Sequence, residues 1–385
     1  MKVQLVDPSA FTPPYDRALA AALAAGGAEV ELLTSRFLYG PVPEPSGYAV
    51  RECFYRRASR RGLDAPGRRA FKAAEHLPDM LRLRRLLDAD VIHYQWLTTP
   101  AIDAHLLPSR RPRVMTAHYV LPPAASRRQV AAARRAFGAM DAVIAHSEHG
   151  ARSLRERVGL DPARIHVIPH GAFDYLTKLP EEKPLPTELE GAGGPVILFF
   201  GLLRPYKGLE LLLEAFAGVE GAELWIIGNP RMEVEPLRRA AAAAPGRVRF
   251  VTRFIEDAEI PAIFRAADLV VLPYLDAEHS GVLYTGLAFG KPLLLSEVGG
   301  FPEVAATGAA RLVPPGEPTA LSAALNELVG DAAAREQLGA AAREAAAGPY
   351  SWDAIAAQTI SLYEALPSAP SSRTASNSLP GRSRV

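Results

Sequence analysis

Cysteine occurs once in the 385 residues, at Cys53, so no internal disulfide can form. No apolar run approaches the roughly 18 residues that a membrane-crossing helix needs. A leader-like stretch is missing too, because Met1-Lys2 runs straight into the apolar Val3–Val6, and the expectation is a cytoplasmic protein. Net charge is scarce, at +1, and only six of the 43 basic residues are lysine. The arginine excess, with abundant alanine, reads as coding bias, and no specific nucleic-acid partner is expected. His146 with His149, and His166 with His170, have spacings a metal uses on a helix, but His146 ends a strand and 166–170 spans strand and loop. Neither pair shares a helical face, so no metal and no cofactor is expected. Nothing in the sequence brings Cys53 to a histidine as a nucleophilic pair.

What is present is an alternation of apolar runs and helical periodicity, repeated twice. The first half predicts strands near Val3–Val6, Glu29–Leu33, Val91–Tyr94, Arg113–Ala117, Ala142–Ala145 and His166–Ile168. Helices are predicted over Ala18–Ala25, Arg69–Leu87, Arg127–Phe137 and Gly150–Val158. The pattern repeats from Val196 to Val313. It predicts an α/β protein of two parallel-sheet domains. The first covers residues 1–176, a Pro-, Glu- and Gly-rich linker 177–194, and the second 195–348. A last helix over 349–366 starts at Ser351-Trp352-Asp353, and residues 367–385, rich in Ser, Pro and Arg, are expected to be disordered.

One turn stands out. Between the strand ending at Phe200 and the helix from Leu209 lie Gly201, Arg204, Lys207 and Gly208. Lys207 sits near the positive end of a helix, where a cation is disfavoured by roughly 0.3–1 kcal/mol unless an anion joins it. Two cations, free helix amides and glycines that permit close backbone approach together suit a phosphate. A second such helix start follows Asp268–Leu272, where Glu278-His279-Ser280-Gly281-Val282 places Ser280 at an N-cap. A diphosphate fits between the two. A Gly299-Gly300 turn and the helix start at Pro302-Glu303 complete the series.

Val196–Val304 resembles the family 4 retaining glycosyltransferases of the GT-B fold, and element order extends the resemblance to about Leu366. The resemblance implies two Rossmann-like domains with a cleft between them, and a last helix returning to the first domain. It implies that Arg204, Lys207, Ser280, Gly281 and Val282 hold the donor diphosphate. By the same token Glu278 faces the donor sugar and His118 approaches it from the first domain, as the catalytic pair. Gly228, Asn229, Arg253, Phe254 and Ile255 are implied to border the nucleotide. Ser147 and His170, in stretches that line the cleft, are acceptor-side candidates.

Two departures bear on the expectation. The family usually carries a second glutamate eight positions after the first, binding the ribose; Gly286 stands there, and a glutamate in its place is expected to point along the cleft. The loop Asp7–Pro14 lacks the glycine pair often found at that point.

The implied reaction moves a sugar from a nucleotide diphosphate donor to an acceptor hydroxyl. The rivals are a catalytically silent nucleotide-binding or scaffold protein, or a phosphorylase or epimerase of the same fold. The acceptor is left open among saccharide, lipid-linked and small molecules. From Arg51 to Arg85 eleven arginines and lysines stand against four acids, with Phe54, Tyr55 and Phe71 among them. That stretch keeps open an anionic acceptor, or peripheral contact with the inner face of a membrane.

Overall fold

The computed structural model describes residues 1–367 apart from 64, 109–111, 243 and 245. The expected tail lies outside the described residues from 368 onward.

Thirteen strands among the described residues form two sheets. The first holds β1 (Lys2–Asp7), β2 (Glu29–Ser35), β3 (Ala49–Phe54), β4 (Val91–Tyr94), β5 (Arg113–Ala117), β6 (Ala142–Ala145) and β7 (Ile165–Val167). Its order is β3-β2-β1-β4-β5-β6-β7. The second holds β8 (Val196–Phe200), β9 (Glu223–Ile227), β10 (Arg247–Val251), β11 (Leu269–Leu272), β12 (Leu293–Ser296) and β13 (Ala310–Val313), in the order β10-β9-β8-β11-β12-β13. Every recorded pairing is parallel. The predicted pair of Rossmann-like domains is therefore the observed architecture.

Composition follows position. Central strands such as β4, β6 and β11 are buried along their whole length, as strands covered by helices on both faces must be. Edge strands carry charge that deters further pairing. On β10, Arg249 pairs with the nearly buried Glu223 of β9 at 2.7 Å. On β3, Arg51 pairs with Glu31 of β2. That charge also explains why β3 was missing from the strands predicted by sequence: Arg51 and Glu52 interrupt its apolar pattern. The helix predicted from Gly150 starts earlier, at Glu148, with Ser147 as its cap.

Each sheet reverses its winding once, between β1 and β4 and between β8 and β11. Strand ends on either side of such a reversal leave a crevice that adjoining loops cannot fill. The two crevices supply the loops described below.

Several contacts tie the domains together. The helix Trp352–Ala365 packs on Pro13–Ala25 of the first domain, where Tyr363 Oη lies 2.6 Å from His93 Nδ1. Trp352 Nε1 donates to the Ala172 carbonyl at 2.8 Å, and its ring covers Gly171, where a Cβ would fall 2.4 Å from Trp352 Cε2. Glu303 accepts from the Glu148 and His149 amides, so a second-domain carboxylate serves the start of a first-domain helix.

Candidate functional site

The loops after β8 and β11 lie against each other. Gly208 has φ +70°, and a Cβ there would be 2.0 Å from the Pro273 carbonyl oxygen. The Leu275 amide donates to the Tyr206 carbonyl at 2.8 Å. Gly201, at φ +102°, faces both Lys207 Nζ and Val282 Cγ2, which would stand 3.2 and 3.0 Å from a Cβ. The ammonium and the start of the helix Gly281–Ala288 thus flank one glycine.

Lys207 is only 7% exposed, and its Nζ lies 5.0 Å from the centre of the Tyr274 ring. Burial, reinforced by the neighbouring Arg204, lowers its pKa to about 8. Neither cation has a carboxylate partner among the described residues. Ser280 occupies the N-cap position, yet its hydroxyl does not cap the helix; it lies 3.3 Å from Tyr274 Oη. The first amides of that helix, at Gly281 and Val282, have no intrahelical acceptor. A buried cation, an exposed one and uncovered amides therefore converge, which is the composition of an anion site.

Across the cleft, Glu278 Oε2 accepts from the Val120 amide at 2.8 Å, joining the loop before the Gly281–Ala288 helix to the loop after β5. Burial raises this carboxyl to about 7, against the pull of that amide and the Leu121 amide. His118 lies beside the same loop, stacked on Trp96 at 5.1 Å and edge-on to Tyr15 at 4.6 Å. Burial and neighbouring histidines lower its pKa well below the ordinary value. At neutral pH it is an uncharged imidazole.

Other predicted residues fare differently. Gly228, at φ +147°, would place a Cβ 1.9 Å from the Gly201 carbonyl oxygen, so the turn after β9 touches the cation loop; Asn229 contributes its carbonyl to the Leu203 amide at 3.1 Å. Arg253 is held in a two-pronged pair with Glu259 at 2.6 and 3.0 Å, Ile255 is buried, and Phe254, 52% exposed, is open to solvent.

Ser147 Oγ accepts from the Gly150 amide as a helix cap, and Gly300 lies against it. His170 is buried among aromatics, stacked on Tyr284 at 4.3 Å, with Nδ1 2.7 Å from the Gly171 carbonyl. Both lie where the domains meet, Ser147 against Gly300 and His170 against Tyr284. Gly286 departs from expectation. A Cβ there would meet Leu293 Cδ2 at 2.6 Å, so the position faces the strand β12 and not the cleft.

Sequence reasoning missed the groups that shape the first crevice. Asp7, at the end of β1, accepts from the Ser9 and Phe11 amides at 3.2 and 2.5 Å and so folds the loop that lacks a glycine pair. Trp96 Nε1 donates to Thr12 Oγ1 at 2.9 Å. Their position directly after β1 and β4, astride the winding reversal, was the available signal.

Residues 17–172 match the Glycosyltransferase Family 4 model, and residues 194–331 match the model described as Glycosyl transferases group 1. The chain is similar to a phosphatidyl-myo-inositol mannosyltransferase of Mycobacterium leprae, 33% identical over 229 residues that make up 57% of this chain and 58% of that protein. This chain thus spans less than two thirds of the length of that relative. It is also similar to a D-inositol 3-phosphate glycosyltransferase of Kineococcus radiotolerans, 28% identical over 387 residues, covering 90% of this chain and 88% of the relative. In structure it resembles the sucrose-phosphate synthase of Thermosynechococcus elongatus, with a TM-score of 0.72 at 20% identity over 94% of this chain and 98% of that one. Anabaena HepE in complex with UDP-glucose gives a TM-score of 0.67 at 21% identity over 94% and 100%. At such identities these neighbours speak for the fold.

Gly286→Glu is expected to destabilise the protein, because Leu293 must give way and a carboxylate enters a buried helix face; the loss is about 2 kcal/mol or more. Urea unfolding of the variant checks this. An unchanged midpoint would mean that Leu293 has room to move and that the side chain turns to the cleft.

Proposed function

The chain belongs to the family 4 glycosyltransferases, and on that premise we propose that it is a retaining enzyme that moves a sugar from a nucleoside diphosphate donor to an acceptor hydroxyl. The observation that carries the proposal is the pairing of Arg204 and the buried Lys207, without carboxylate partners, beside the uncovered amides of Gly281 and Val282. As the bond from the anomeric carbon to the phosphate oxygen breaks, negative charge grows on the leaving diphosphate. Both cations and the amides then stabilise charge where it develops. Glu278, with a carboxyl that titrates near neutrality, orients the sugar through its hydroxyls while positive charge spreads over the ring. The uncharged imidazole of His118 meets the sugar from the opposite wall. The acceptor oxygen bonds to the anomeric carbon on the face the phosphate leaves, and its proton passes to the departing phosphate oxygen.

The acceptor side favours a phosphorylated partner. Lys72 is half-buried, 4.7 Å from the Tyr55 ring and 5.8 Å from that of Phe11, close to the loop after β1. Burial, with Arg68 beside it, lowers its pKa, and Asp7 offsets this only in part. Arg68 Nε is buried without a hydrogen-bond partner. Both cations lie on the helix Arg68–Leu86. The names of both relatives, a phosphatidyl-myo-inositol mannosyltransferase and a D-inositol 3-phosphate glycosyltransferase, include an inositol and a phosphate or phosphatidyl group, which agrees with such a site.

The same helix exposes Leu77 and Leu81, four residues apart, together with Phe71 and the terminal Arg84 and Arg85. Among the described residues no helix is long and apolar enough to cross a membrane. An apolar pair beside arginines suits contact with an anionic lipid surface instead.

Lys207→Ala and Arg204→Ala are each expected to weaken nucleoside diphosphate binding by about 1.5–3 kcal/mol while leaving nucleoside binding nearly unchanged. Titration calorimetry checks both, and retention of diphosphate affinity in the double variant would refute the assignment. Lys207 also sets a pH dependence. Its charge is lost as the pH rises through about 8, so diphosphate affinity falls above that point, and Lys207→Arg removes the decline. For the lipid contact, sedimentation with vesicles containing anionic lipid is expected to retain the protein at low salt and to release it as salt rises. Leu77→Ser with Leu81→Ser lowers the retention. Equal retention on neutral vesicles counts against the reading.

A further inference from the structure

Three imidazoles from three separate loops meet where the domains face each other. His118 follows β5, His146 follows β6, and His279 precedes the helix Gly281–Ala288. One nitrogen of each lies within 4.8 Å of the other two. His118 Nδ1 and His146 Nε2 are 3.2 Å apart. Two nitrogens bound at about 2.0–2.1 Å to one tetrahedral ion are separated by roughly 3.4 Å.

What lies behind each ring decides where its proton sits. His146 Nδ1 is 3.1 Å from the Ile168 carbonyl oxygen, and His118 Nε2 is 3.1 Å from the side-chain carbonyl of Gln95. Carbonyl oxygens only accept, so His146 and His118 each donate outward and keep a lone pair directed inward. His279 Nε2 is buried and has no hydrogen-bond partner. Lone pairs on His118 and His146 facing each other across 3.2 Å repel unless a cation lies between them.

We propose that His118, His146 and His279 bind a late first-row divalent cation of the zinc type, with a fourth position left to water. A set of three imidazoles without carboxylate or thiolate favours zinc, cobalt, nickel or copper over magnesium or calcium. Outer carbonyls that fix the tautomers of His118 and His146 are what ligating histidines ordinarily have. His118 and His146 belong to the first domain and His279 to the second, so one ion clips the domains together. It also withdraws His118 from the sugar, which makes the ion an inhibitor of the transfer and no part of it. Binding itself stands apart from the proposed activity.

The test is a titration of the full chain, stripped with a chelator, with Co²⁺ followed by Zn²⁺. One equivalent of cobalt is expected to give the visible absorption of a four-coordinate ion, and zinc to bleach it. His146→Ala and His279→Ala are each expected to weaken binding about 100-fold or more. His149→Ala and His166→Ala, whose rings lie outside the cluster, leave it unchanged. His279→Gln, at the end of a loop, provides a second ligand deletion should His146→Ala fail to fold, and thermal melting establishes which variants are folded. The proposal is overturned if the wild type binds no cobalt, or if folded His146→Ala and His279→Gln bind it as tightly as the wild type. In that case the Gln95 amide is turned over, its Nε2 donates to His118, and a proton on His118 Nδ1 joins it to His146.

Discussion

Parallel strands cannot be joined by tight turns, so each sheet winds outward from a central pair, and the change of direction leaves a crevice at the ends of β1 and β4 and of β8 and β11. Everything chemical in this protein is set by that constraint. The loops after β8 and β11 are driven together so closely that only glycine fits at 208, against the Pro273 carbonyl. The same approach carries Lys207 inside, where burial costs it part of its basicity and, among the described residues, no carboxylate pairs with it. A cation in that position is stabilised when an anion arrives, and the anion is drawn to the helix amides beside it.

The two crevices face each other because a few polar contacts hold the domains in register. Glu278 reaches the Val120 amide, Glu303 reaches the start of the helix after β6, and the Trp352 indole reaches the Ala172 carbonyl. The bond to Val120 and the placement of His118 are one feature, since both belong to the loop after β5. The price of closing the cleft falls on Glu278, which loses hydration and holds its proton up to about pH 7. This carboxyl is therefore also one of the bolts between the domains.

Much of this was legible in order along the chain. Continuous apolar runs such as Val196–Phe200 and Leu269–Leu272 are what a strand buried on both faces requires, and glycines and cations follow them at the turns. Arg204, Lys207 and Gly281 could be singled out at the turns around such runs, whereas Glu278 was assigned through the family resemblance. The edge strand Ala49–Phe54 could not, because exposure admits charge and erases the pattern. Ser147 and His170 read as cleft residues from their neighbours and do lie where the domains meet, though what they bond there, a helix-start amide and the Tyr284 ring, had no local signal. Gly286 looked like a vacant ribose contact, yet the rotation of its helix turns it toward Leu293.

The sequence by itself determined the alternation of strand and helix, the doubling of the domain and the chemistry at the ends of the strands, because these depend on short-range periodicity and turn composition. Tertiary structure alone decided which distant side chains meet. His146 and His149 share a neighbourhood in the chain but not a site, whereas His118, His146 and His279 come from three loops in two domains and converge within hydrogen-bonding range or a little beyond. No local pattern encodes that meeting. It follows from the winding of two sheets and from the contacts that set one against the other.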